Sequence, residues 1–207
     1  MIDSLLAYYN QFIFFMNAGG AVMWVLFCLN LLLWYGLGYR YITLKRGTRG
    51  SVRRLVEKHE KRGDDKIFVG LLDFAVRDSL QAAREAQAIG KRPRNYIYDA
   101  LFPYVFIITK YSTLVKTIVM LAPLVGLLGT VIGMIETFDA LQSSSMFAQG
   151  DSIAGGISKA LFTTELGLVV AVPGLIFGRI LDKKEEQFAL EFEQIADIIS
   201  TKDSHEV

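Results

Sequence analysis

An all-α fold, specifically a polytopic membrane protein with three transmembrane helices, is predicted by composition, by apolar run lengths and by the placement of basic residues. Of the 207 residues 52% are hydrophobic and four are proline, and the mean hydropathy is +0.35, an unusual balance for a soluble domain of this size. Three apolar runs, 19–39, 118–134 extended toward Leu141, and 153–180, compare with the ~20 residues a helix needs to cross the hydrocarbon core. Seventeen of the twenty-two Lys and Arg residues fall in 40–116, four more in 179–202, and Lys159 stands apart. By the positive-inside rule both basic segments are cytoplasmic, which places the N-terminus and the turn at 142–152 on the outer side.

Residues 1–18 carry Leu5, Tyr9, Phe12 and Phe15 or Met16 at helical spacing. The segment 3–16 is too short to span, and 1–18 is read as an interfacial helix on the outer face. The first transmembrane helix, 19–42, ends in Trp34, Tyr35, Tyr39, Arg40 and Tyr41, an aromatic and basic boundary. A basic n-region and a small-residue cleavage site are lacking at the start, so this run is expected to be retained. Residues 43–112 form a charged cytoplasmic helical region. Within it RRLVEKHEKR (53–62) is diluted by Glu57 and Glu60, which favours a solvated helix over nucleic-acid binding.

Phe68, Leu72, Val76 and Leu80 then repeat every four residues, an apolar stripe that must bury against another helix. The second transmembrane helix, 113–141, is entered through KRPRNYIYDALFPYVFIITKYSTLVK and carries a cytoplasmic extension. After the turn, the third transmembrane helix covers 153–180 and continues into a cytoplasmic tail helix, 181–207. Leu181, Phe188, Phe192, Ile195 and Ile199 give that tail a matching stripe. The second and third helices are thus expected to extend into a cytoplasmic helical bundle. Cys28, the single cysteine, excludes an intrachain disulfide or cysteine-cluster metal site and is expected to pack in the first span. His59 and His205 lie in separate polar segments, as expected for solvated surface residues.

The second and third spans form an antiparallel hairpin with distinctive chemistry. Ala122, Gly126, Gly129, Thr130 and Gly133 share one helix surface, as do Gly167, Ala171, Gly174 and Gly178. Small residues let membrane helices approach closely, so these are read as helix-packing positions. Pro123 and Pro173 each remove a backbone hydrogen bond inside these helices, making kinks plausible. Glu165, beside Thr163 and Thr164, sits in the middle of an apolar run, where a charge needs a partner, water or a proton. With Thr130 set level with Thr164, Glu136 and Lys159 both lie about 8–9 Å outward at ~1.5 Å per residue. They are candidates for an ion pair at the outer mouth. One helix face cannot present Lys159, Thr163, Thr164 and Glu165 together. Either the pore-lining surface is broad or Glu165 faces a neighbouring helix.

APLVGLLGTVIGMIETF (122–138) followed by GISKALFTTELGLVVAVPGLIFGRIL (156–181) resembles the ExbB/TolQ/MotA proton-channel family, most closely its ExbB/TolQ branch. The resemblance implies a bacterial inner-membrane subunit that assembles as a homo-oligomer, a pentamer, around the transmembrane helices of an ExbD/TolR-like single-span partner. Proton flow through such assemblies drives a TonB- or TolA-like protein. The family's pore threonines map onto Thr130 and Thr164, and with Thr163 and Glu165 these form the expected proton pathway. One departure stands out: the family pattern G-I-x-E-A-L reads GISKAL here, with Lys159 at the glutamate position. Glu165, six residues later, is a candidate replacement for that carboxylate.

The leading functional expectation is a proton-motive-force-driven ExbB-type motor subunit for outer-membrane transport. A TolQ-like role in envelope integrity and a non-conducting structural membrane scaffold are the alternatives. No nucleophile–base set, phosphate loop or metal cluster is present in the sequence, so neither catalytic residues nor a cofactor are expected. The expected partners are further copies of the chain, the single-span protein, the TonB- or TolA-like protein and the lipid bilayer, with no nucleic acid.

Overall fold

The computed structural model describes residues 2–45, 51–62, 70–143 and 149–203. Helices are the only regular structure among them: α1 Ile2–Ala18, α2 Gly20–Thr43, α3 Val52–Arg62, α4 Leu71–Ala88, α5 Pro93–Thr109, α6 Ser112–Ser143 and α7 Gln149–Asp203. Three candidate spans are long and apolar enough to cross a membrane: Gly20–Thr43, Pro93–Gln142, which runs from α5 through α6, and Ile153–Thr201 within α7. The protein is therefore an all-α polytopic membrane protein. Phe68, His205 and positions 144–148 of the turn lie outside the described residues. The chain divides into two compact units, Met1–Leu37 with Thr113–Gly178, and Gly38–Ser112 with Arg179–Val207.

In the first unit α1 gives way to α2 at Gly20, whose φ of +67° suits a residue without a Cβ. A Cβ built there would lie 2.7 Å from Cε of Lys159. Phe12 meets Phe27 edge-on and Phe15 meets Phe162, with centroids 5.5 and 5.3 Å apart. Met16, Met23, Leu26, Leu33, Val115 and Val170 are buried. Large apolar side chains also cover the outside of the helices, among them Leu124, Leu128, Leu161 and Leu175, as expected where the surrounding medium is lipid. Cys28 differs from expectation: it lies exposed on the surface of α2 rather than packed within the chain. Only one surface of that helix is covered by its own chain.

The second unit follows the packing logic of a water-soluble bundle. Leu72 and Val76 of α4 are buried, and so are Leu181, Phe188, Phe192, Ile195 and Ile199 of α7. Both stripes therefore find apolar cover, each fully buried side chain contributing roughly 1.5–3 kcal/mol. Tyr104 of α5 ties the helices together. Its hydroxyl donates to Asp78 of α4 at 2.5 Å and its ring lies 6.4 Å from that of Phe192 in α7.

Helix ends in this unit have identifiable causes. α4 closes with Gly90 at φ +69°, while the Gly90 and Lys91 N–H groups donate to the carbonyls of Gln87 and Ala86 at 3.0 Å each. This is a Schellman stop. α5 starts on Pro93, where a missing N–H costs nothing. The entry into the second span is broken at Lys110–Tyr111: α5 ends at Thr109 and α6 begins at Ser112. Tyr111 takes a φ of 63° there. Its ring meets Tyr39 edge-on at 5.0 Å, and the Lys110 ammonium lies 5.3 and 5.4 Å from the Tyr39 and Tyr111 rings. Such contacts offset a backbone conformation unfavourable for a bulky residue.

Arg40, in the last turn of α2, is 1% exposed and reaches Asp182 at 2.8 Å and Glu185 at 2.7 Å, both on α7. Two carboxylates meet one buried guanidinium, and the cation also suits a helix C-terminus.

Candidate functional site

The site is built on the seam between α6 and α7. On α6 the seam residues are Ala122, Gly126, Gly129 and Gly133, spaced four, three and four apart; Gly156, Ala160, Thr163 and Gly167 repeat that spacing on α7. The chains run antiparallel and approach until backbone meets backbone. A Cβ on Gly126 would sit 2.9 Å from the Thr163 carbonyl oxygen, one on Gly133 2.7 Å from that of Gly156, and one on Gly167 2.9 Å from that of Ala122. Only residues with little or no side chain permit this approach. Farther along, Gly174 faces Leu33 and Val119, each 2.8 Å from a built Cβ, while Ala171 is buried.

Thr163, expected on the pore-lining surface, is instead fully buried in this seam, its side chain against Gly129. Its hydroxyl donates within its own helix, to the carbonyls of Ala160 at 3.0 Å and Lys159 at 3.1 Å. With the polar hydrogen so satisfied, the residue serves as a small packing group. Thr137 does the same on α6, donating to the Gly133 carbonyl at 2.9 Å and abutting Gly156. Thr137, Gly156 and Ala160 were not singled out by sequence, although the repeated spacing carries them.

Thr130 and Thr164 lie beside the seam and are half-buried. Thr130 donates to the Leu127 carbonyl at 2.7 Å and Thr164 to that of Ala160 at 3.3 Å. Each hydroxyl retains lone pairs for a water or another donor and can rotate to donate in turn. Glu165 is exposed. At ~100° per residue it points almost opposite the seam residues Thr163 and Gly167. It falls on a stripe with Leu161, Leu168 and Val172, all exposed apolar residues. Glu165 therefore faces neither α6 nor the seam.

Glu136 and Lys159 are brought together, the ammonium 2.5 Å from a carboxylate oxygen. Lys159 is 19% exposed and Glu136 49%. The lysine stem also lies over Gly20 at the α1–α2 junction. Its charge is therefore neutralised within the chain, and one side chain links the hairpin to the start of α2.

Residues 75–194, more than half of the chain and including the whole hairpin, match the MotA/TolQ/ExbB proton channel family. Among curated proteins, the biopolymer transport protein ExbB-like 3 of Synechocystis sp. is 38% identical over 94 residues, 44% of this chain and 45% of that protein. ExbB-like 1 of Helicobacter pylori is 27% identical over 206 residues, 98% of this chain and 100% of that protein. The biopolymer transport protein ExbB of Aquifex aeolicus is 36% identical over 88 residues, 42% of this chain and 59% of that protein. The chain spans about half the length of the Synechocystis relatives it matches, 45% of one and 57% of another. With the hairpin, its small-residue seam and the match in agreement, the chain belongs to the MotA/TolQ/ExbB proton channel family.

Proposed function

We propose that this chain is the channel and motor subunit of an ExbB–ExbD-type complex in the bacterial inner membrane, using the proton motive force to energise a TonB-like protein for outer-membrane transport. In this reading several copies, five in the expected assembly, surround the transmembrane helix of an ExbD/TolR-like partner. Thr130, Thr164 and Glu165 lie along the proton path. The basic segments at 40–116 and 179–202 face the cytoplasm.

The observation that carries the proposal is the outward-facing Glu165, near the level of two half-buried threonines and flanked by exposed apolar residues. A carboxylate directed out of its own chain at membrane depth must meet water, a proton or a group from another subunit. A closed scaffold provides no reason for it. In this reading Thr163, buried between α6 and α7, packs the hairpin rather than lining the path. The Glu136–Lys159 pair supports the reading by removing the barrier that an uncompensated lysine would raise at the mouth.

The test is deletion of the gene in its own cell, with uptake of an outer-membrane cargo measured before and after collapse of the proton gradient. The proposal expects energised uptake to be lost on deletion, restored by the gene, and abolished by the uncoupler. Unchanged uptake with weakened envelope integrity would instead favour the TolQ-like role.

A further inference from the structure

A second site is formed within the unit that contains Arg40. Tyr41, Leu44 and Lys45 at the end of the first span face Lys184, Gln187, Phe188 and Glu191 of α7 around a cavity of about 270 Å³. The α7 contributors lie on one helix face. Both lysine ammoniums are gathered on a single aromatic ring: Lys45 Nζ is 5.5 Å and Lys184 Nζ 5.6 Å from the Tyr41 centroid. Glu191 is the one acidic residue in the lining, which leaves it with one net positive charge. Leu44 and Phe188 supply a buried apolar wall, and the Gln187 amide adds both a donor and an acceptor.

Position along the chain indicates what this arrangement meets. Tyr41 and Lys45 follow the apolar run 19–39, and Lys184 follows the apolar run 153–180. Basic and aromatic residues emerging at the ends of two spans stand at the headgroup layer of a bilayer. A concave basic pocket there suits the phosphodiester of an anionic lipid. Ile42, next to Tyr41, is 68% exposed and offers an apolar surface for the adjoining acyl chain.

We propose that Tyr41, Lys45, Lys184 and Gln187 form a binding site for the phosphate headgroup of an anionic phospholipid. The two ammoniums hold the phosphate, the tyrosine ring keeps them in place, and the glutamine bonds a headgroup hydroxyl or ester oxygen. The site rests on the chain being a multi-pass membrane protein. Only its assignment to the cytoplasmic leaflet rests on the orientation proposed above, so loss of proton conduction and loss of lipid binding are separable results.

The test uses the full chain in nanodiscs, with phosphatidylglycerol retention after detergent extraction read by native mass spectrometry. Phosphatidylcholine and inorganic phosphate are the comparison ligands. Lys45→Gln/Lys184→Gln should weaken phosphatidylglycerol binding on the order of thirtyfold, from the ordinary contribution of two basic residues at a lipid surface. Lys45→Arg/Lys184→Arg should restore most of it. Lys58→Gln/Lys183→Gln removes the same charge from exposed positions outside the cavity and should leave binding within about twofold of the original protein. Melting of each variant in phosphatidylcholine establishes that it folds. Equal losses in both glutamine pairs, no loss in the pocket pair, or displacement of the lipid by millimolar inorganic phosphate would overturn the proposal.

Discussion

The α6–α7 hairpin and the bundle of α4, α5 and the end of α7 are both helical, yet they are held together in opposite ways. In the hairpin the contacts are made by glycine, alanine and threonine, and the large apolar side chains point outward. In the bundle Leu72, Ile97, Leu101, Phe188, Phe192 and Ile195 are buried, Arg94 of α5 pairs with Asp197 of α7, and Arg40 at the end of α2 joins it through Asp182. The difference is the one the proposed topology calls for, with lipid around the hairpin and water around the bundle. Lipid gives no hydrophobic reward for bringing two helices together, so backbone approach and dispersion must do so. Water does give that reward, and large side chains collect it.

The comparison can be broken first at the bundle's buried charge. Asp182→Asn/Glu185→Gln keeps the shape but leaves the 1%-exposed Arg40 without a counter-ion. A loss of about 3–5 kcal/mol is expected, measured by unfolding in mixed micelles. Close behind comes Ile195→Ala, which empties a fully buried position and should cost about 2–5 kcal/mol.

The hairpin responds to the opposite change, addition rather than removal. Gly133→Ala places a methyl against the backbone of Gly156 and Ala160, so destabilisation of about 1–3 kcal/mol is expected. Gly155→Ala, with nothing within 4 Å of a built Cβ, should be neutral or stabilising by up to about 1 kcal/mol. Similar effects at positions 133 and 155 would contradict the seam.

Tyr104→Phe gives the smallest change, about 1 kcal/mol for one hydrogen bond. Melting of the variant beside the original protein measures it, and an unchanged melting temperature would mean that the bond to Asp78 contributes nothing.

Much of the hairpin was legible because its constraints are local and periodic. Three and four residue intervals between Ala122, Gly126, Gly129 and Gly133 mark a close-packed helix face whatever the neighbour is. Counting residues along two antiparallel helices also brought Glu136 and Lys159 to one height, and the structure joins them. Thr163 was harder to place because threonine is both a hydroxyl and a small side chain. Its bonds to Ala160 and Lys159 determine which property is used. The break at Lys110–Tyr111 left no local signal, since a tyrosine at positive φ is held by the distant Tyr39 ring. The direction of Glu165 likewise depended on which α7 face the seam occupies.

Proton flux into vesicles containing the chain and its single-span partner, compared with a Glu165→Gln version of equal assembly, tests the central claim most directly. The account predicts acidification that responds to an imposed gradient for the original complex and at least a tenfold loss, about 1.4 kcal/mol in barrier terms, for the variant. Full flux in the variant would contradict a role for the outward-facing carboxylate, and no flux in an intact original complex would contradict conduction itself.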